Sequence, residues 1–101
     1  MKYSARREMK GKAKDGSFID ITIQIGIPYE SIEFYLWACS ILANGLHDEL
    51  PEIHGIDSWQ SLQLAQKTIK SILLSFIDKG GELYIFGESD KVKPEEIDEF
   101  F

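Results

Sequence analysis

Isoleucine occupies every second position from residue 19 to residue 27, and this alternation constrains the fold more than any other feature of the sequence. Successive side chains of a β-strand point to opposite faces, so the five isoleucines share one face of a strand. Asp20, Thr22 and Gln24 lie between them and share the other face. A helix cannot place such a pattern on one side, so the segment predicts a half-buried antiparallel strand.

Turn signals define the neighbours of this strand. Residues 3–10 alternate loosely between apolar and polar side chains, which predicts a first strand. Asp15-Gly16 predicts a two-residue hairpin turn between the two strands, because both turn positions favour positive φ. After the isoleucines, Pro28 and the polar pair Glu30-Ser31 are expected to end the strand.

The stretch Phe34–Leu42 is apolar on both faces. Ser31 can cap a helix there, but aromatic and β-branched residues favour a strand that is buried on both sides. Asn44-Gly45 is a further turn signal, and a short fourth strand is expected from Leu50 to Ile56. Pro51 places that strand near a sheet edge, because proline has no N–H to donate to a neighbouring strand.

A long helix is predicted after residue 56. Asp57 can accept the unpaired N–H groups of a helix start, and Gln60 can reach back to the cap. Gly80-Gly81 predicts the end, so the helix has about 22 residues and a length of roughly 33 Å. The apolar stripe with helical spacing consists of Leu62, Ala65, Ile69, Ile72, Leu73 and Phe76.

The remaining residues add a strand and a tail. Glu82–Phe86 predicts the last strand, and an acidic tail covers residues 91–101. Pro94 suits a first helical position, so the tail has two interpretations. Either Ile97 and Phe100 dock back as a short amphipathic turn, or this end of the chain is frayed.

These elements combine into an α+β fold. Strands joined by tight turns form antiparallel sheets, and the isoleucine face needs an apolar cover. The predicted architecture is therefore one antiparallel sheet packed on one long helix in two layers, with the chain order β-β-β-β-α-β. The sequence contains no repeat or interdomain linker, so residues 1–101 are expected to form a single domain.

The formal net charge of −6 is unevenly distributed. Residues 1–14 carry six basic side chains and one acidic one, residues 15–81 three basic and nine acidic, and residues 82–101 two basic and seven acidic. The acidic body argues against a duplex-binding module, because neutralising phosphates needs a lysine and arginine surface. The basic N-terminal residues are interpreted as an exposed strand whose lysines guard a sheet edge. The overall charge favours a basic protein partner.

Candidate catalytic and metal-binding residues are few. Cys39 is the only cysteine, which excludes an intramolecular disulfide and a multi-cysteine zinc site. A buried structural thiol is expected there, rather than a nucleophile activated by His47 or His54. The two histidines are expected in solvated loops without metal-ligand spacing, and Trp37 and Trp59 in core or rim packing. We therefore predict no catalytic residues, no metal, no cofactor and no enzymatic activity.

Membrane association and secretion are also not expected. No apolar run approaches the ~20 residues of a membrane span, and charged residues rather than an apolar segment follow the N-terminus. The sequence therefore predicts a cytoplasmic protein, with no membrane partner and no nucleic-acid partner.

Three segments resemble a family of small bacterial domains of unknown function. They are Trp37-Ala-Cys39, Asn44-Gly45-Leu46 and the run GIDSWQSLQLA at residues 55–65. The family pattern is an arginine-containing first strand, an isoleucine-rich second strand, a W-x-C strand, and G-(I/V)-D-S-x-Q-(A/S)-L-x-L-A at the start of a long helix. The resemblance covers residues 5–75 and implies the fold rather than an activity, and the acidic tail after Lys93 departs from it.

In size, acidity and lack of catalytic residues, the chain is also similar to the immunity proteins of contact-dependent growth inhibition and other interbacterial toxin systems. This similarity implies a protein that binds and neutralises a cognate toxin domain, often a basic nuclease. Carboxylates on such an inhibitor compete for the cationic groove that holds the nuclease's polyanionic substrate. The expected partner-binding residues form two acidic clusters, Asp48, Glu49, Glu52 and Asp57 around the sheet–helix turn, and Glu95, Glu96, Asp98 and Glu99 in the tail.

Two other functions stay open at this point. One is a homo-oligomeric or accessory binding module that docks to itself through the apolar edge Phe34–Leu42, and both a monomer and a dimer are compatible with the sequence. The other is a hydrolase that uses Cys39 as nucleophile and His54 as base.

Overall fold

The computed structural model describes residues 2–33, 35–85 and 90–101. In chain order, the strands are β1 (Tyr3–Lys12), β2 (Phe18–Gly26), β3 (Tyr29–Ser31), β4 (Leu36–Cys39), β5 (Ile41–Asn44), β6 (Ile53–Gly55) and β7 (Glu82–Ile85). Helix α1 spans Ser58–Asp78, a 3-10 turn spans Pro94–Glu96, and helix α2 spans Ile97–Phe100.

The strands form two antiparallel sheets. The large sheet has the order β5-β2-β1-β7, and the small sheet has the order β3-β4-β6. The predicted α+β class with antiparallel pairing is confirmed. The predicted single sheet and its order are wrong, because six strands precede α1 and they divide between two sheets.

A shared bend at Gly26 and Ser40 divides the sheets. The Gly26 N–H donates to the Ser40 carbonyl over 2.8 Å, and a Cβ atom on Gly26 would lie 3.2 Å from the Ser40 Cβ. The predicted continuous strand Phe34–Leu42 is therefore wrong, since β4 and β5 end and begin on either side of Ser40. The predicted end of the strand before Pro28 is confirmed, since β2 ends at Gly26. The prediction is wrong for Glu30-Ser31, which belong to β3.

The predicted β1–β2 hairpin is confirmed, but its turn differs. Gly16 N–H donates to the Ala13 carbonyl over 2.9 Å, and Ala13 N–H donates to the Ser17 carbonyl over 2.8 Å, which closes a three-residue loop. Only Gly16 has positive φ in this loop, at 92°. The Asp15 carboxylate accepts from both the N–H and the hydroxyl of Ser17, which stabilises this loop in place of the expected two-residue turn.

Strand β1 is not the edge strand that its lysines suggested. It pairs with β2 along its length and with β7 over Met9–Lys12. Lys10 instead lies on the face of the large sheet opposite Met9, where its amine is 2.7 Å from the Asp20 carboxylate of β2. The lysines of β1 therefore pair across strands.

The isoleucine face forms the core with α1, as predicted. Ile21, Ile23 and Ile25 are buried in one cluster with Ile69 and Leu73 of the helix. Full burial of each such side chain stabilises the fold by about 1.5–3 kcal/mol. The prediction fails for Ile27, which lies beyond the bend and is 51% exposed.

Helix α1 has 21 residues and begins and ends as predicted. The Asp57 carboxylate accepts from the Gln60 N–H over 2.8 Å, while the Gln60 side chain accepts from the Ile56 N–H rather than from the cap residue. At the other end Gly80 has φ 94°, and Gly80 and Gly81 donate to carbonyls of the last helical turn. Within the described ranges, no helix has both the length and the hydropathy to cross a bilayer.

The tail docks on the large sheet and α1, which confirms the docked interpretation over the frayed one. Ile97 is 1% exposed. The Arg7 guanidinium donates to the Phe100 carbonyl over 2.9 Å and lies 4.8 Å from the centre of the Phe101 ring. Lys70 of α1 pairs with Asp98 at 3.2 Å. The last strand is confirmed for Glu82–Ile85, and the rest of its predicted range lies outside the described residues.

Replacing the cap residue tests the helix start. We expect Asp57→Ala to lower the free energy of unfolding by about 1 kcal/mol, because one N–H of the first turn loses its acceptor. Urea denaturation measures this change. The matched control is Asp48→Ala, which removes an exposed carboxylate without a hydrogen bond in the described residues. Equal effects of the two substitutions would show that the cap contributes nothing.

Replacing Arg7 tests the docking of the tail. We expect Arg7→Gln to speed amide hydrogen exchange in residues 97–101 roughly fivefold, because it removes a charge-assisted hydrogen bond and a cation–π contact. The control is Arg6→Gln, since the one ion pair of Arg6 with a described residue is with Glu8 of its own strand. The assignment is wrong if both variants exchange at the same rate.

Candidate protein-binding surface

The residues of the first predicted acidic cluster have different local roles. Asp57 caps α1, and the Glu52 carboxylate accepts a hydrogen bond from the Tyr29 hydroxyl. This bond and the adjacent negative charge raise the pKa of Tyr29 above its ordinary range. Asp48 and Glu49 are exposed and follow the turn at Gly45.

The second predicted cluster is likewise divided between structural and exposed roles. The Glu96 carboxylate accepts from the Lys93 N–H, and Asp98 pairs with Lys70. Glu95 and Glu99 are exposed and make no hydrogen bond or ion pair with the described residues. Because Lys70 is thirteen residues along α1 from the Asp57 cap, about 20 Å, the tail cluster lies far from the helix start.

A third surface, which the sequence analysis does not predict, lies where the β3–β4 turn meets the start of α1. Its exposed apolar residues are Ile32 at 86%, Tyr35 at 93%, Ile56 at 74% and Trp59 at 74%. Together with the half-buried Trp37 they are called the aromatic end. A contiguous exposed group of large apolar side chains is typical of an interaction site.

The small sheet brings these residues together. Trp37 of β4 is the register partner of Gly55 in β6, and Ile56 and Trp59 follow within four residues. A Cβ atom on Gly55 would lie 2.5 Å from the backbone nitrogen of Ser61, so β6 touches the first turns of α1. Gly55 and the fully buried Ser61 are small enough to permit this approach. Larger side chains at these two positions would separate the strand from the helix.

Two concavities open on this surface. One of about 380 Å³ contains Glu30, Ile32, Tyr35, Trp37 and Ile56 in its wall. The other, of about 550 Å³, runs beside Trp59 along the first turns of α1, and its wall is formed by Pro28, Ser58, Trp59, Leu62, Gln63 and Gln66. Neither wall contains a lysine or an arginine.

The charge of this region is entirely negative. The chain has no lysine and no arginine between residues 15 and 66, a stretch that supplies the whole small sheet and the first turns of α1. The same stretch has eight carboxylates, Asp15, Asp20, Glu30, Glu33, Asp48, Glu49, Glu52 and Asp57. Of the predicted partner-binding residues, the structure brings Glu52 and Asp57 to the aromatic end, through Tyr29 and Ile56.

A sequence signal for the aromatic end exists, although it was interpreted as packing. The prediction of core or rim packing suits Trp37 but is wrong for Trp59. Trp59 does not belong to the apolar stripe of α1, and Ile56 precedes the cap residue. Neither residue therefore lies on the helix face that packs against the core. Tyr35 has φ 55°, a left-handed conformation that tyrosine rarely adopts and that sequence patterns do not reveal.

Cys39 and His54 do not form a thiol–imidazole pair. Cys39 is 0% exposed, and its thiol lies 3.5 Å from the Gly26 carbonyl. It faces Ile53 in the strand register, whereas His54 faces Ala38, so the two side chains leave opposite faces of the small sheet. His54 lies in β6 rather than in the expected loop, and His47 is exposed. Across residues 2–33, 35–85 and 90–101, no group of three metal-binding side chains occurs.

Comparisons with protein family models, with curated protein sequences and with solved structures find no match for this chain. The resemblance of residues 55–65 to a bacterial domain family therefore stays a prediction. What the structure adds is a physical role for that motif. Its glycine permits the strand–helix contact, its aspartate caps α1, and its glutamine holds the Ile56 N–H.

The buried thiol predicts a pH dependence of stability. Burial raises the pKa of Cys39 above the ordinary 9.0, so the unfolded thiol loses its proton at lower pH than the folded one. Its contribution to stability is therefore complete below about pH 9 and is lost as the pH rises toward the folded pKa. Urea denaturation of the wild type and Cys39→Ala from pH 7 to pH 10.5 measures this effect. We expect the stability difference between them to narrow only above pH 9, and a constant difference would contradict the assignment.

Proposed function

We propose that this protein is a non-enzymatic, cytoplasmic immunity protein that binds and neutralises a basic toxin domain through the aromatic end. The observation that carries the proposal is the exposure of Ile32, Tyr35, Ile56 and Trp59 in a region that has carboxylates and no basic side chain. A surface that combines exposed apolar side chains with negative charge is complementary to a positively charged protein partner.

The apolar side chains would supply most of the affinity. Tryptophan and tyrosine are enriched among the residues that dominate binding energy, because each buries a large rigid surface at little entropic cost. Trp59 and Tyr35 are exposed by 74% and 93%, so a partner can cover nearly all of each ring. The adjacent concavities give that partner two depressions in which to seat its own side chains.

The carboxylates would supply the choice of partner. A nuclease-type toxin presents positive charge to hold its polyanionic substrate. An acidic surface competes for that groove, and long-range attraction speeds and orients the encounter. Glu33 at the β3–β4 turn and Asp57 between Ile56 and Trp59 place such charge at the aromatic end.

Self-association is the less favoured alternative. Two copies meeting at the aromatic end would bring carboxylates of the same sign together without a basic side chain to neutralise them. The predicted self-docking edge Phe34–Leu42 is not one edge either. In its described part, β4 pairs on both sides, whereas β5 is an edge strand of the large sheet. Sedimentation of the chain alone is expected to give a monomer, and a stable dimer would favour the alternative.

Inhibition of a toxin tests the function. The polypeptide encoded immediately upstream is mixed with this protein at equal concentration, and its toxic activity is measured. We expect full loss of that activity, and Trp59→Ala should raise the concentration needed about 30-fold, since a central tryptophan contributes about 2 kcal/mol. The control is Phe18→Ala, which removes an aromatic ring that is 69% exposed on the large sheet. Unchanged toxicity at a stoichiometric excess would exclude this partner and with it the proposal.

The role of charge has its own test. The double variant Glu33→Gln, Asp57→Asn removes two carboxylates from the aromatic end, and asparagine still caps the helix. We expect slower association and a weaker dependence of the association rate on salt in stopped-flow mixing with the same partner. The control, Glu95→Gln with Glu99→Gln, removes the same charge from the tail. If both double variants slow association equally, net charge rather than the aromatic end steers the partner.

A further inference from the structure

We infer that the 380 Å³ concavity beside Trp37 is a subsite for an arginine side chain. The inference rests on the proposed function, because the arginine would belong to the basic partner. It deepens that function by naming the group that enters the surface and the two residues that hold it, Trp37 and Glu30.

The strand register places the two residues side by side. Glu30 of β3 and Trp37 of β4 are direct partners, so their side chains leave the same face of the small sheet. Directly opposed residues in an antiparallel pair have Cβ atoms about 5 Å apart. A cation stacked on the Trp37 ring is therefore within reach of the Glu30 carboxylate.

Among the described residues, the side chains of Glu30 and Trp37 have no polar partner. The Glu30 carboxylate makes no hydrogen bond or ion pair there, and the Trp37 indole N–H makes no hydrogen bond. Trp37 is half-buried, so its ring forms a partly desolvated wall of the concavity. Glu30 is exposed, so its carboxylate lies at the solvent-accessible rim. Tyr35 and Ile32 extend the apolar wall outward.

The chemistry of the wall selects a guanidinium group. A single carboxylate offers too few oxygens for Ca²⁺ or Mg²⁺, and the negative charge repels phosphate. A guanidinium is planar and weakly hydrated, so it can stack on indole and donate two parallel hydrogen bonds to a carboxylate. A lysine ammonium is a strongly hydrated point charge and gains less from both contacts. The size of the concavity, at the low end of about 300–1,000 Å³ for small-molecule sites, suits one side chain.

The test uses N-acetyl-arginine methylamide as the probe and the full chain as the receptor. Titration is followed by the indole N–H resonances in nitrogen-15 NMR spectra, in which Trp37→Phe assigns the signal of Trp37. We expect a saturable shift of the Trp37 signal and little shift of Trp59, which serves as the internal reference. The uncharged isostere N-acetyl-citrulline methylamide should bind at least fivefold more weakly.

Glu30→Gln tests the carboxylate. We expect it to weaken binding of the arginine probe roughly fivefold, whereas Asp78→Asn, which removes an exposed carboxylate at the far end of α1, leaves it unchanged. The subsite is overturned if citrulline binds as well as arginine, if both tryptophan signals move equally, or if Glu30→Gln has no effect. A failed subsite with intact inhibition of the upstream polypeptide refutes only this inference. Probe binding without inhibition refutes the proposed function and leaves the subsite standing.

Discussion

The close contact of Gly26 with Ser40 determines the architecture of this protein. Both strands of one long hairpin bend at the same place, where a Cβ atom on residue 26 would lie 3.2 Å from the Ser40 Cβ and would push the strands a few tenths of an ångström apart. Before the bend, β2 and β5 belong to the large sheet and cover the helix with isoleucines. After it, β3 and β4 turn away and pair with β6 in a second sheet. The bend thus separates two sheets that both pack on α1, the large one through its isoleucines and the small one through Cys39 and Ile53.

The aromatic end follows from that separation. The small sheet supplies Cys39 and Ile53 to the core, whereas its turn and its connection to α1 carry exposed side chains. Tyr35 illustrates the consequence, since its left-handed backbone holds an almost fully exposed ring at the β3–β4 turn. Such a conformation costs of order 1–3 kcal/mol in a non-glycine residue and is found mostly at ligand-binding sites. The stable contacts of the large sheet and α1 compensate for that cost.

Local patterns predicted the elements whose causes are local. The isoleucine alternation, the Asp57 cap and the glycine stop of α1 each depend on neighbours within a few residues, and the structure confirms them. The division of Phe34–Leu42 into two strands was not predictable in this way, because it depends on Ser40 meeting a glycine fourteen residues earlier. The aromatic end has the same character. Trp37, Ile56 and Tyr35 come together only through the pairing of the strands that they belong to or adjoin. Residue type alone predicts packing for a tryptophan, which is correct for Trp37 but not for Trp59.

The acidic residues separate into two groups once their partners are known. Four of them have a contact within the fold that accounts for their presence. Asp15 stabilises the β1–β2 turn, Asp57 caps α1, Glu96 stabilises the 3-10 turn, and Asp98 forms an ion pair with Lys70. Glu30 and Glu33 make no such contact with described residues, and excess like charge destabilises a folded chain through self-repulsion. Within the described residues the fold gives their carboxylates no partner, as is also true of Glu95 and Glu99. Glu30 differs from these in lying beside a half-buried indole, and an aromatic ring and a carboxylate together favour a cationic, planar group over other common side chains.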